Sequence, residues 1–258
     1  MSEVRRLEGL GVVITRPRAA AETLAAVLQA EGANAFVFPA LDLEPPGPSA
    51  ALDEALERLP ECSLAVFISA NAVERGLVLA RSRAPWPERT RVAAVGEATA
   101  QALRNSGFET VLSPKDQHDS KALLALPELR AVKGEEIIVF RGEGGREHLR
   151  ETLEGRGARV HYVECYRRVR PKLDPAALLE AWEGGGVHAV SALSGETLEN
   201  FLLTVGERGA ALAAGTTLVV PHANIAAHPD ARRFARVLVA GPGAAGLVDS
   251  LSTLRVTT

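Results

Sequence analysis

Two serines stand directly after short apolar runs: Ser69 in Val66-Phe-Ile-Ser-Ala-Asn71 and Ser194 in Val190-Ser-Ala-Leu-Ser-Gly-Glu196. A hydroxyl at the carboxyl end of a strand can cap the helix that follows, and the helix N–H groups beside it can hold an anion. Capping alone would account for each serine taken singly. The arrangement occurs twice, which favours binding, with Asn71 as a further donor. Gly96-Glu-Ala-Thr99 has the same setting of strand end, tight turn and helix start. Glycine there lets a ligand approach the backbone, and Thr99 can cap or bind. Arg16 and Arg141 follow apolar runs, and Arg146 stands where the next helical stretch opens. Guanidinium forks match carboxylates, with surface ion pairing as the plainer alternative. Tyr166, one of two tyrosines, lies just past the apolar run ending at Val163, at a boundary between units where clefts form. An interface side chain is its plainer reading. These residue types suit an anionic small molecule bearing carboxylates.

Other chemistries lack their residues. Arg141-Gly-Glu-Gly-Gly145-Arg146 follows a strand and opens a helix, as a nucleotide loop would. It is not GxGxxG, and no Walker lysine and hydroxyl follow it. The six histidines are scattered without HxxxH or HExxH spacing, so no metal is expected, and no GxSxG elbow marks a hydrolase. Cys62 and Cys165 are too few for a disulfide framework or a four-thiolate zinc site. A net charge of −3 argues against a dedicated nucleic-acid binder, and 47% hydrophobic residues exclude a disordered chain. The N-terminus carries no apolar h-region and no apolar run approaches membrane-spanning length, so a soluble, cytoplasmic protein is expected, with no membrane partner.

The elements that must position these residues come from an internal repeat. Moving the 258-residue sequence by 125 positions places Arg16 on Arg141, Leu24 on Leu149, Leu28 on Leu153 and Gly32 on Gly157. The same register brings Ser69 onto Ser194 and Val95 onto Val220. A domain-sized period means a duplicated α/β unit and not a solenoid. Each copy reads as a strand (12–15; 137–140), a helix, and a second strand (35–38; 160–163). A helix (50–59; 175–182), a strand (64–68; 187–193) and another helix follow. A further strand (91–95; 217–220) comes next, and in the first copy a helix and a short strand at 109–112. Leu24, Val27 and Leu28 are expected on the buried helix face of the first copy, and Leu149 and Leu153 on that of the second. Gly32 and Gly157 sit where helix-ending glycines belong. Alternating strands and helices predict parallel sheets covered on both faces, in one or two domains, with Pro-rich breaks at 44–48 and 171–175.

With these residues in order along the chain, the sequence resembles the uroporphyrinogen-III synthase family over nearly its whole length. The matching phrases are Thr15-Arg16-Pro17, Phe38-Pro39, Phe67-Ile-Ser69-Ala-Asn71-Ala-Val73 and Val95-Gly-Glu-Ala-Thr99-Ala100. Arg146-Glu-His-Leu149, Tyr166-Arg167 and Pro221-His222-Ala-Asn224-Ile-Ala226 complete the set. The resemblance implies an α/β fold of two doubly wound parallel-sheet domains joined by a two-stranded antiparallel ladder, with a cleft between. Carried over, residues 1–38 and 172–258 form discontinuous domain one, 44–163 form domain two, and 39–43 and 164–171 are connecting strands. The implied activity is closure of the linear tetrapyrrole hydroxymethylbilane to uroporphyrinogen III, with loss of water and inversion of ring D, without metal or organic cofactor, in a monomer. The implied donors to the eight substrate carboxylates are Arg16, Ser69, Asn71, Gly96, Thr99, Arg141, Arg146, Ser194 and Asn224. Asn224 departs from the family, standing where relatives commonly have a hydroxyl. Tyr166 matches the family tyrosine proposed to assist departure of the hydroxyl, and a phenol is protonated at neutral pH. A two-lobed small-anion binding protein is the rival from another class, and a nucleotide-dependent regulator a weaker third.

Overall fold

The computed structural model of the chain describes residues 5–115, 119–145 and 147–254. It divides into two compact units, residues 1–43 with 169–258, and residues 44–168. With elements numbered along the whole chain, unit one carries strands β1 (Gly11–Ile14), β2 (Asn34–Val37), β9 (Ala189–Ser191), β10 (Thr217–Val220) and β11 (Arg236–Val239). They form one parallel sheet in the order β11-β10-β9-β1-β2. Val13, Val190, Leu218 and Val220 point to one face, where α8 (Ala176–Glu183) and α9 (Gly195–Ala213) cover them. Val12, Ile14, Ala189 and Val219 point to the other, beneath α1 (Arg18–Ala30) and α11 (Gly243–Leu251). Burial on both faces is why these strands read as continuous apolar runs and not as alternation.

Unit two is built the same way. Its strands β4 (Leu64–Phe67), β5 (Arg91–Ala94), β6 (Val111–Leu112), β7 (Glu136–Gly142) and β8 (Arg159–Val169) lie in the order β8-β7-β4-β5-β6, with β3 (Asp42–Glu44) beyond β8. On one face Phe67 and Phe140 stack at 4.5 Å beside Trp86, close to α3 (Ala70–Arg83). On the other, Val66, Val139 and Val160 meet α5 (Ser120–Leu124), α6 (Pro127–Arg130) and α7 (His148–Gly155).

The repeat is visible in the ladders themselves. β1 pairs Gly11 with Asn34 of β2, and β7 pairs Glu136 with Arg159 of β8, the same positions moved by 125. Val12 opposite Ala189 becomes Ile137 opposite Leu64, and Thr217 opposite Arg236 becomes Val92 opposite Val111. The β9–β10 and β4–β5 ladders differ by one residue. The sheet of unit one therefore takes two strands from the first copy and three from the second, and the sheet of unit two takes two from the second copy and, counting β3, four from the first. The helix ends repeat as well. Gly32 and Gly157 have φ of 93° and 88°, a left-handed conformation that suits glycine. Ala33 N–H reaches Leu28 O at 3.0 Å and Ala158 N–H reaches Leu153 O at 3.1 Å, closing equivalent C-terminal motifs.

Several expectations are corrected. Val27 is 39% exposed, and α1 buries Ala21, Leu24, Ala25 and Leu28 instead. At 100° per residue, Val27 lies about 110° from the centre of that face. The helix expected over 50–59 ends at Glu57 as α2 (Ala50–Glu57), and a 3₁₀ turn at Leu59–Glu61 replaces its last turn around Pro60, which has no N–H to give. β8 runs unbroken from Arg159 to Val169, through the point where a separate connecting strand was expected. β11, α5, α6, α10 (Ala223–Ala226) and α11 carried no expectation.

Candidate active site

In open parallel sheets, ligands bind at the carboxyl ends of the strands where the winding reverses. In unit two that reversal lies between β4, which continues to β5, and β7 on its other side. A cavity of about 480 Å³ opens at these strand ends. Ile68 and Val95 follow β4 and β5 into it. Arg141, Gly142 and the turn through Gly145 come from the end of β7, Tyr162 and Tyr166 from β8, and Lys121 and His148 from α5 and α7.

Tyr166 is 3% exposed, and its hydroxyl lies 3.2 Å from Ser69 Oγ. Ser69 caps α3 and accepts the Ala72 N–H at 3.1 Å. Ser69 Oγ keeps its proton and a second lone pair, so either hydroxyl can donate in the Ser69–Tyr166 bond. The β7–β8 register slips between Arg141 and Gly142: Arg141 pairs with Glu164 and Gly142 with Tyr166, leaving Cys165 as the extra residue. A bulge re-aims the side chains after it. Tyr166 then packs against Gly142, where a Cβ would come within 2.5 Å of its ring. Tyr166 is thus inside β8, not past its end as the sequence suggested.

Arg141 is buried; its Nη1 donates to Glu147 Oε1 at 3.2 Å and its Nε to Gly142 O at 3.2 Å. Its guanidinium lies 4.4 Å from the Tyr162 ring centroid, and that of Arg150 lies 3.7 Å from it. Burial, and after it the negative charge of Glu147, push the Tyr162 phenol above its ordinary value, so it remains a donor.

The remaining expected residues are distributed. Gly96 caps α4 (Glu97–Asn105), so Thr99, buried at the third helical position, is not the cap. Asn71 is exposed on the first turn of α3. Arg16, Ser194 and Asn224 belong to unit one, following β1, β9 and β10 at the corresponding strand ends. Ser194 caps α9, accepting the Thr197 N–H at 3.1 Å. Arg16 has a buried Nε without a partner among the described residues, and burial lowers its pKa. Asn224 is exposed on α10. Arg146 lies outside the described residues. Sequence reasoning missed Gly142, Tyr162, Lys121 and Arg168, all of which line the cavity. The discounted glycine loop was the available signal: Gly142, Glu143, Gly144 and Gly145 form one rim. Glu199, His228 and Asp230 place potential ligand atoms within 4.8 Å of one another. His228 Nδ1 accepts the Asp230 N–H at 3.3 Å, which leaves its Nε2 proton for Glu199, and Arg233 holds Asp230. That group is arranged as a cap, a hydrogen bond to Glu199 and the Asp230–Arg233 ion pair.

The family model described as uroporphyrinogen-III synthase HemD matches residues 22–249. The chain belongs to the uroporphyrinogen-III synthase family, a family of enzymes. It is 38% identical to the uroporphyrinogen-III synthase of Salmonella typhimurium over 192 residues, 74% of this chain and 78% of the relative. It is 34% identical to that of Escherichia coli over 191 residues, again 74% and 78%. Two solved uroporphyrinogen III synthases share the fold. A mutant form of the Thermus thermophilus protein aligns with a TM-score of 0.59 at 19% identity, over 92% of this chain and 96% of that one. The Helicobacter pylori protein aligns with a TM-score of 0.58 at 13% identity, over 95% and 100%. Among the described residues no helix is long and apolar enough to cross a membrane.

Proposed function

We propose that this uroporphyrinogen-III synthase family member closes hydroxymethylbilane to uroporphyrinogen III, and that Tyr166 gives the departing hydroxyl its proton. Loss of that hydroxyl is driven by the adjacent pyrrole nitrogen lone pair, and protonation lets it leave as water. The observation that carries the assignment is the chain Ala72 N–H, Ser69 hydroxyl, Tyr166 hydroxyl at the strand-end cavity. If Ser69 accepts from the backbone and donates to Tyr166 Oη, the phenol proton has one direction left, away from Ser69. The N-terminus of α3 aligns the same dipoles. Arg141, Lys121, His148 and Arg168 on the cavity wall suit a substrate with eight carboxylates, and Arg16, Ser194 and Asn224 are further donors in unit one. The free, buried Cys62 and Cys165 fit a reducing, cytoplasmic setting, and we read the protein as a monomer, which sedimentation tests.

Tyr166→Phe keeps the ring and removes the hydroxyl. General acid catalysis contributes about 10²–10⁴-fold, so type III formation should fall by that order while the melting temperature stays close to wild type. The substrate also closes without enzyme to the uninverted type I isomer, so the type I share should rise. A Tyr166→Phe protein with wild-type rate and isomer ratio would remove Tyr166 from the reaction.

A further inference from the structure

Two guanidiniums and a phenol meet in unit two, with Glu147 beside both guanidiniums and Glu154 Oε1 3.9 Å from Arg150 Nε. Arg141 and Arg150 both lie against the Tyr162 ring, at 4.4 Å and 3.7 Å from its centroid. The Arg141 side chain is only 4% exposed. Tyr162 Oη and Arg150 Nε are buried and make no well-formed hydrogen bond among the described residues, Glu147 being the carboxylate beside the phenol and Glu154 the one beside Arg150 Nε. Glu147 alone bridges the pair: Oε1 is 3.2 Å from Arg141 Nη1, and Oε2 is 3.9 Å from Arg150 Nη1. Tyr162 lines both the strand-end cavity and an adjoining one of about 500 Å³, which Arg150 also lines.

Buried donors without acceptors are costly, and two like charges at one ring repel. Both costs fall when a carboxylate enters. Glu147 supplies part of one, but loosely: its side chain is 49% exposed and makes no bond to the end of α7 that it precedes. The Glu147 end of each pair is in water, so exchanging it for another carboxylate costs little on that side. We propose that Arg141, Tyr162 and Arg150 form a carboxylate subsite, and that Glu147 occupies it as an internal stand-in until a carboxylate of a polycarboxylate ligand displaces it. The raised pKa of Tyr162 supports this by keeping the phenol a donor. The identity of the ligand as the tetrapyrrole rests on the proposed function.

The test is fluorescence titration of the full chain with uroporphyrin III, the oxidised, unreactive form of the product, alongside turnover of hydroxymethylbilane. Removing the stand-in should tighten binding, so Glu147→Gln should lower Kd about 5–10-fold. Removing donors should weaken it, so Tyr162→Phe and Arg150→Gln should each raise Kd and KM about 10-fold with kcat nearly unchanged. Glu151→Gln removes an exposed charge from the same helix and controls for long-range electrostatics, with an expected effect below about 2-fold. The subsite is overturned if the wild type turns over but Glu147→Gln binds no tighter, if Glu151→Gln matches Glu147→Gln, or if Tyr162→Phe and Arg150→Gln bind as wild type. A wild type that neither binds uroporphyrin III nor forms the type III isomer overturns the proposed function, and the stand-in with it.

Discussion

Gly142 leaves space for Tyr166 and for nothing larger. A Cβ at that position would lie 2.5 Å from Tyr166 Cε2 and 2.8 Å from Cζ. Gly142→Ala must therefore push the ring, and with it the bond to Ser69. Activity should fall at least roughly 10-fold, because displacements near 1 Å already cost that order in a positioned group. The decisive comparison is the double variant. In a Tyr166→Phe background the same alanine should cost almost nothing further, since the hydroxyl whose position it disturbs is gone. Equal losses in both backgrounds would mean that Gly142 acts elsewhere. Ser69 was placed at a strand end by the apolar run before it, whereas Arg141 and Tyr166, singled out as following their strands, lie inside β7 and β8. Gly142 and Tyr162 were not legible in the sequence. Gly142 sits in a loop that failed the phosphate-binding spacing, and Tyr162 lies inside a strand, where a tyrosine reads as packing. The β7–β8 pairing brings Arg141 to its ring, and α7 brings Arg150.

β7 and β8 hold the site, and their far ends are tied by Glu136. Burial alone would raise the Glu136 carboxyl, but hydrogen bonds from Arg159 and His161 on β8 outweigh it and hold the group below the usual carboxylate range. A depressed carboxyl stabilises the fold in full above its unfolded pKa of about 4.3, and that contribution is lost as pH falls through the lower folded value. Glu136→Gln keeps the shape and removes the titration. Its melting temperature should lie below wild type by on the order of 2 °C at pH 7, since the partners are largely exposed. The gap should close below about pH 4. A gap unchanged down to pH 3 would exclude the ionised pair as its source. At this scale the sequence located β1, β2, β4, β5 and β10 to within a residue of their observed bounds, because buried parallel strands are short apolar runs, but it ended β8 six residues early. It did not find the bulge: nothing in Val160-His-Tyr-Val-Glu-Cys-Tyr166 marks Cys165 as an extra residue. Nor did it find α5 and α6, whose helices are only five and four residues long and so carry too little periodicity to read.

Ladders that keep their registers under a 125-residue shift make the molecule two versions of one sheet, each assembled from both copies. Periodicity revealed the duplication, but not which copy each sheet draws on; the resemblance suggested the exchange, and strand pairing displays it in β1 beside β9. The exchange has an unequal consequence for folding. Residues 44–168 are contiguous and hold all five strands from β4 to β8, with apolar clusters on both faces of their sheet. Unit one cannot close until residues beyond 169 join residues 1–43. The excised segment 44–168 should therefore fold alone, while 1–43 should not. Its two thiols report the outcome. Burial pushes Cys62 up to about 11 and Cys165 up to about 12, so in a folded segment both remain protonated, inaccessible and slow to alkylate at pH 8. In a disordered segment both return to the ordinary range near 8.5 and react readily. The expected result is a single cooperative melt, with iodoacetamide adding mass only above the transition. Immediate labelling of both cysteines at 25 °C, without a melt, would mean that the contiguous unit depends on the rest of the chain. Folding would then require the complete duplication, not one sheet at a time.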